Sequence, residues 1–166
     1  MVPGIPVCRR YRRSIQGYRR VMRENNEFDL VDVLTAAHRT VESLLADVET
    51  TSDRRLRRRA LMAALAAIQR HSTIEQRFLY PTTRQHLPAG DVLAAHEERE
   101  HAAADEKMNR LARLDDTDPE YEPLVHSLFT DIRVHVNEEE TELFPRLRAA
   151  CDPETLRRLG SDAAGT

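Results

Sequence analysis

Residues 71–84 read HSTIEQRFLYPTTR, and residues 135–148 read HVNEEETELFPRLR. At an offset of 64 they match at His71 and His135, Glu75 and Glu139, Leu79 and Leu143, Tyr80 and Phe144, Pro81 and Pro145, and Arg84 and Arg148. Leu61, Ala64, Leu65 and Ile68 precede the first copy, and Leu124, Leu128 and Ile132 the second. Apolar residues three and four apart share one helix face, so each copy reads as an amphipathic helix whose inward stripe ends in a histidine and a glutamate. Pro81 is expected to kink or end its helix, because proline lacks an amide donor and crowds the preceding turn.

A second correspondence appears at an offset of 63. Val31, Leu34, His38, Val41, Leu45 and Val48 form one helical stripe, and Ala94, Glu97, His101, Ala104, Met108 and Leu111 form its counterpart. Asp29 is placed to cap the first of these helices. The chain therefore reads as two copies of a helix pair, with helices near 29–50, 53–81, 91–114 and 119–149. Short polar links such as DDTDPE join them, which predicts an all-α, up-down-up-down four-helix bundle. Residues 28–149 form this domain, and 150–166 a C-terminal tail holding at most a short helical stretch before it frays.

Composition agrees with this reading. Of 166 residues 40% are hydrophobic and only 5 are glycine, with Ala, Leu, Glu and Arg abundant, a balance that favours helix and a single domain. No run is long and apolar enough to span a membrane, and MVPGIPVCRR lacks the pattern of a secretory signal, so an intracellular, cytoplasmic protein is expected. Cys8 and Cys151 stand apart and suggest neither a disulfide framework nor metal ligation.

Charge is uneven. Residues 1–27 carry seven arginines against Glu24 and Glu27, while the rest is acidic, a poor platform for nucleic acid. Tyr11, Ile15, Tyr18 and Val21 or Met22 recur at helical spacing within this basic extension, which would suit an acidic partner or a membrane surface. The plainer reading is a disordered extension, or a biological start at Met22. Arg54 to Arg59 read as a solvated face of the second helix.

Residues four apart on a helix stack one turn above each other, so His71 with Glu75 and His135 with Glu139 can each converge on a point. With His38 and His101 the bundle interior would hold four imidazoles and two carboxylates. Buried carboxylates need a compensating cation, and this donor set suits iron, manganese or zinc. A lone histidine on an apolar stripe is usually a satisfied core residue, but four in repeat register with matched carboxylates are not explained that way. Glu97 takes the place of Leu34 on the inward stripe, either as a further ligand or as a carboxylate orienting His101. His86, His96 and His126 are expected at the surface. A ferritin-like di-iron site would need two ExxH motifs; only Glu98 with His101 supplies one.

The arrangement of His38, His71 with Glu75, His101, and His135 with Glu139, together with FLYP and ELFP, resembles the hemerythrin-like, or HHE cation-binding, domain. The resemblance implies a bundle enclosing a non-haem di-iron centre, with histidines as terminal ligands and Glu75 and Glu139 as bridges. It implies a protein that binds, senses or reacts with oxygen, peroxide or nitric oxide, a catalase-like activity being preferred. A non-enzymatic iron or oxygen sensor is the alternative. Oxygen carriers of that family place a histidine four before the third-helix ligand, where this chain has Glu97. They also place an aspartate five after the last histidine, where Glu140 stands; the repeat with Glu75 selects Glu139.

Overall fold

The computed structural model describes residues 28–166. The basic extension over residues 1–27, and with it the reading of an amphipathic basic helix, lies outside the described residues. Four rods form the bundle. The first is α1 (Leu30–Thr50). The second joins α2 (Arg54–Ile74), a π-helical turn π1 (Glu75–Leu79) and α3 (Tyr80–His86). The third is α4 (Gly90–Arg113), and the fourth joins α5 (Tyr121–Glu138), π2 (Glu139–Leu143) and α6 (Phe144–Ala150). A further helix, α7 (Pro153–Ala164), follows.

Helix starts follow local chemistry. The Asp29 carboxylate accepts from the Asp32 amide at 2.9 Å while the Asp32 carboxylate accepts from the Asp29 amide at 3.0 Å, a reciprocal cap that satisfies two donors the helix cannot. At α2 the Asp53 carboxylate accepts from the Leu56 amide at 2.9 Å, a one-way cap. At the turn into α4, Ala89 takes φ 57, and a Cβ on Gly90 would come within 2.2 Å of the Thr83 carbonyl oxygen. Only glycine allows that approach.

Contacts between rods fix the topology. His38 meets His71, Arg58 donates to the carbonyls of Leu111 and Ala112, Lys107 pairs with Asp131, and Arg133 forks onto Glu42 and Glu49. Along each seam the numbering rises in one rod as it falls in the next, so neighbours are antiparallel and the up-down-up-down order holds.

Two expectations change. Pro81 neither ends nor breaks its helix: the chain widens into π1, where the Tyr80 amide donates to the Glu75 carbonyl five residues back, and continues as α3. A wider turn relieves the crowding between a proline ring and the carbonyl four residues before it. Pro145 follows π2 in the same register. The extra residue resets the helical phase by about 100°, so Leu79 and Tyr80 are both buried below Glu75.

The C-terminal residues also do more than fray. Asp152 accepts from the Thr155 amide, Pro153 opens α7, and Leu156, Gly160 and Ala163 bury one face. A Cβ on Gly160 would lie 2.6 Å from the Asp29 carbonyl carbon, so α7 rests directly on the start of α1.

The apolar interior is split. One cluster gathers Leu45, Leu61, Leu111 and Phe129, and the other Leu34, Leu79, Phe144 and Leu147. Between them sit His38, His71, Glu75, Glu97, His101, His135 and Glu139, all buried.

Candidate metal centre

Each rod delivers part of this polar layer. His38 comes from α1, His71 and Glu75 from the junction of α2 and π1, Glu97 and His101 from α4, and His135 and Glu139 from the junction of α5 and π2. Every residue in the sequence-derived set is present in one layer. The Nε2 atoms of His38 and His71 lie 3.1 Å apart, and those of His101 and His135 lie 3.0 Å apart. Two imidazole pairs therefore face inward side by side.

The glutamates cross between these pairs. Glu75 places Oε1 2.9 Å from His71 Nε2 and Oε2 3.1 Å from His101 Nε2. Glu139 Oε2 stands 3.1 Å from His38 Nε2 and 3.7 Å from His135 Nε2. Each carboxylate thus touches one histidine from each half of the repeat. Both glutamates are 0% exposed, yet none of their four oxygens makes a hydrogen bond. Leaving such groups uncompensated costs several kcal/mol apiece, on the order of 3–5, so the layer fits a bound cation better than a self-contained polar network.

Donor atoms from His38, His71, Glu75 and Glu139 fall within 4.8 Å of one another, as do those of Glu75, His101 and His135, and those of Glu97, His135 and Glu139. The first two groups share Glu75, and the first and third share Glu139. This layout can hold two metal ions with the glutamates common to both.

Glu97 is where spacing misleads. Its Oε2 lies 3.1 Å from His135 Nδ1 on the neighbouring rod, so the imidazole it meets is His135, where intrahelical spacing pointed to His101. Around the layer, outer groups hold the back of three rings. Glu140 Oε1 accepts from His38 Nδ1 at 2.9 Å, Glu100 Oε2 accepts from His135 Nδ1 at 2.9 Å, and Tyr80 Oη lies 2.9 Å from His101 Nδ1. Phe144, the repeat counterpart of Tyr80, has no hydroxyl and stacks on His38 with ring centroids 5.6 Å apart. His71 Nδ1 makes no hydrogen bond. Such contacts fix ring orientation and raise ligand basicity.

The two halves differ electrostatically. Burial and then the neighbouring His71 push His38 down to about 4 against the pull of Glu140. Burial also acts against a charged His135, but Glu97, Glu75 and Glu100 outweigh it and raise this residue to about 9. Burial and then the Glu75 charge hold Glu139 well above the carboxylate range. Glu75 itself stays well below that range, because His71 and His101 overcome its burial. Without metal, protons collect on Glu139 and His135.

Sequence reasoning missed Tyr80 and Phe144 as ring partners, since their adjacency to proline read only as a helix end. Glu100 was missed because its partner is on another rod. His96 and His126 are exposed, as expected, and His86 is partly so.

No curated protein matches the chain. The chain superposes with a TM-score of 0.72 on the crystal structure of a hemerythrin HHE cation-binding domain-containing protein of Mycobacterium kansasii, at 24% identity and covering 83% of this chain and 84% of that one. That likeness shows the fold. The family model of the hemerythrin HHE cation-binding domain matches residues 29–147, from the cap of α1 to the middle of α6 and through the whole polar layer, and the chain belongs to that family.

Proposed function

We propose that the chain is a non-haem di-iron protein whose centre binds or reacts with oxygen, peroxide or nitric oxide, with catalase-like decomposition of peroxide as the preferred activity. In this reading His38 and His71 hold one ion and His101 and His135 the other. Glu75 and Glu139 serve both, and Glu97 completes the second set. Manganese or zinc suits the same donors, and the choice of iron rests on family resemblance. Bound iron would supply the redox and Lewis-acid chemistry.

The observation that carries the ligand class is a small enclosed cavity of about 10 Å³ against the four imidazoles. Val41, Ile68, Ala104, Ile132 and Val136 line it together with Ser72. A space of that size takes about one water-sized molecule, which supports a ligand of the smallest kind and excludes bulky substrates. The apolar wall excludes bulk water, and Tyr80, its hydroxyl held un-ionised by burial and the nearby carboxylates, keeps a proton at the back of His101.

No helix among the described residues is long and apolar enough to cross a membrane; a cytoplasmic location completes the proposal. The test is metal analysis of the purified protein, then oxygen evolution and optical spectra on adding peroxide. Iron-dependent turnover that is lost in His71→Ala and Glu139→Ala supports the reading. Protein without iron, or iron inert to oxygen, peroxide and nitric oxide, contradicts it.

A second reading, an iron or oxygen sensor without turnover, draws on the fact that all four rods contribute donors. Metal occupancy would then set bundle stability itself. Iron-dependent melting without peroxide turnover would favour it.

A further inference from the structure

Apolar clusters close the polar layer at both ends of the bundle, with Leu45 and Phe129 on one side and Leu34 and Phe144 on the other. A metal ion reaching the layer has to pass between rods. Two seams carry a carboxylate from the surface to the back of a buried imidazole, and their surroundings differ. Where α1 meets π2, Glu140 holds His38 with Oε1 and Arg39 with Oε2 at 2.6 Å. A guanidinium therefore stands on the outer side and repels cations.

Where α4 meets α5 the outer side is reversed in character. Glu100 Oε2 lies 2.9 Å from His135 Nδ1, and its Oε1 lies 3.4 Å from His96 Nε2, which is 3.9 Å from Glu138 Oε2. Donor atoms from His96, Glu100 and Glu138 fall within 4.8 Å of one another, and the side chains of His96 and Glu138 are about half exposed. Behind them Glu97 is only 6% exposed, and its Oε2, lacking a hydrogen bond, reaches the same His135 Nδ1 at 3.1 Å. Glu97 in turn groups with Glu139. Oxygen and imidazole donors thus run without a break from solvent to the buried layer.

We propose that His96, Glu100 and Glu138 form a surface site that captures a divalent metal ion and delivers it past Glu97 to the buried centre. The three groups supply borderline donors suited to first-row metals, and exposure leaves the arms of His96 and Glu138 free to turn. The acidic seam concentrates cations at its mouth, an effect that raises capture rates and weakens with salt. The path rests on the buried layer holding metal and is independent of any oxygen chemistry.

The test uses the metal-stripped full chain with cobalt(II) as probe, following its ligand-field absorption after rapid mixing. His96→Ala with Glu138→Gln, both exposed positions, is expected to reach the same final stoichiometry about tenfold or more slowly at low salt. Its rate should also lose the salt dependence of the unaltered protein. In Glu75→Gln with Glu139→Gln, weak cobalt binding should remain and should vanish on adding His96→Ala; no residual binding overturns the capture site. Failure of the unaltered protein to load cobalt would overturn the reading of the buried centre and the path with it. Normal loading with equal rates overturns the path alone.

Discussion

Glu75 Oε2 stands 3.1 Å from Nε2 of His101, a residue supplied by the other half of the repeat. The same carboxylate touches His71, four residues before it on its own rod. A group that only stabilised its own helix would need the second contact alone. Crossing the repeat is what lets one carboxylate serve two sites.

Because Glu75 and Glu139 are buried without hydrogen bonds, the metal-free bundle carries a strain that metal removes. Glu139→Gln, which replaces a carboxyl held protonated, is therefore expected to leave metal-free melting unchanged or raised, and Glu75→Gln to lower it, because His71 and His101 hold Glu75 ionised; both should weaken the stabilisation by metal. At metal near a thousandfold over Kd that stabilisation is about 4 kcal/mol, or roughly 10 °C at this chain length. Calorimetry with and without metal checks it. A metal-free Tm that drops sharply in Glu139→Gln would contradict this.

Tyr80→Phe tests the outer contacts. Phe144 occupies the mirrored position, so the bundle accommodates a phenyl ring there, and the lost hydrogen bond costs only about 1 kcal/mol of stability. Metal affinity is expected to fall about tenfold or more, at the His101 half and not at the His38 half. Competition with a chelator, read at each half through its own spectral change, measures this. Equal loss at both halves would show that Tyr80 acts through general packing.

The pH response follows from protons held without metal. His135 is raised to about 9, so between about 6.5 and about 9 the native state binds a proton the unfolded chain has released, and stability falls as pH rises. Glu139 acts in the same direction above its ordinary range. His38, lowered to about 4, works the other way: between about 6.5 and about 4 the unfolded chain takes the proton first, and stability falls as pH drops. With Glu139 and His38 opposing each other at mildly acidic pH, the metal-free Tm should change little there and fall as pH rises from about 6.5 toward about 9. Metal should displace the held protons, so binding heats at mildly alkaline pH should vary with the ionisation enthalpy of the buffer. Heats that are independent of buffer would contradict this.

Gly160→Ala separates the last helix from the site. The new Cβ would meet the Asp29 carbonyl carbon at 2.6 Å and the Phe28 carbonyl oxygen at 2.7 Å, backbone atoms that cannot turn aside. A loss of about 1–3 kcal/mol is expected, read as a lower denaturation midpoint with metal stoichiometry unchanged. An unaltered midpoint would mean that α7 does not press on α1.

Sequence legibility followed periodicity. Val31, Leu34, His38 and Val41 announced an inward face, and the offsets of 63 and 64 brought the other rods into the same layer. Residues whose meaning depends on a neighbouring rod were opaque. Glu97 shares a face with His101 in sequence but meets His135 in space, and Glu100 looks like one more surface charge until α5 is packed beside it. Pro81 was read by its usual local effect, which the π turn absorbs. The α7 helix was hidden because its stability comes from packing Gly160 on the start of α1, whereas its composition alone suggests fraying.

The central claim is that Glu75 and Glu139 join two metal ions into one centre. Iron-loaded protein, analysed for iron per chain and then by Mössbauer spectroscopy with magnetisation, tests it most directly. Two magnetically coupled irons per chain are expected, with the coupling lost in Glu75→Gln. A single iron per chain, or two irons with independent magnetic signatures, would contradict it.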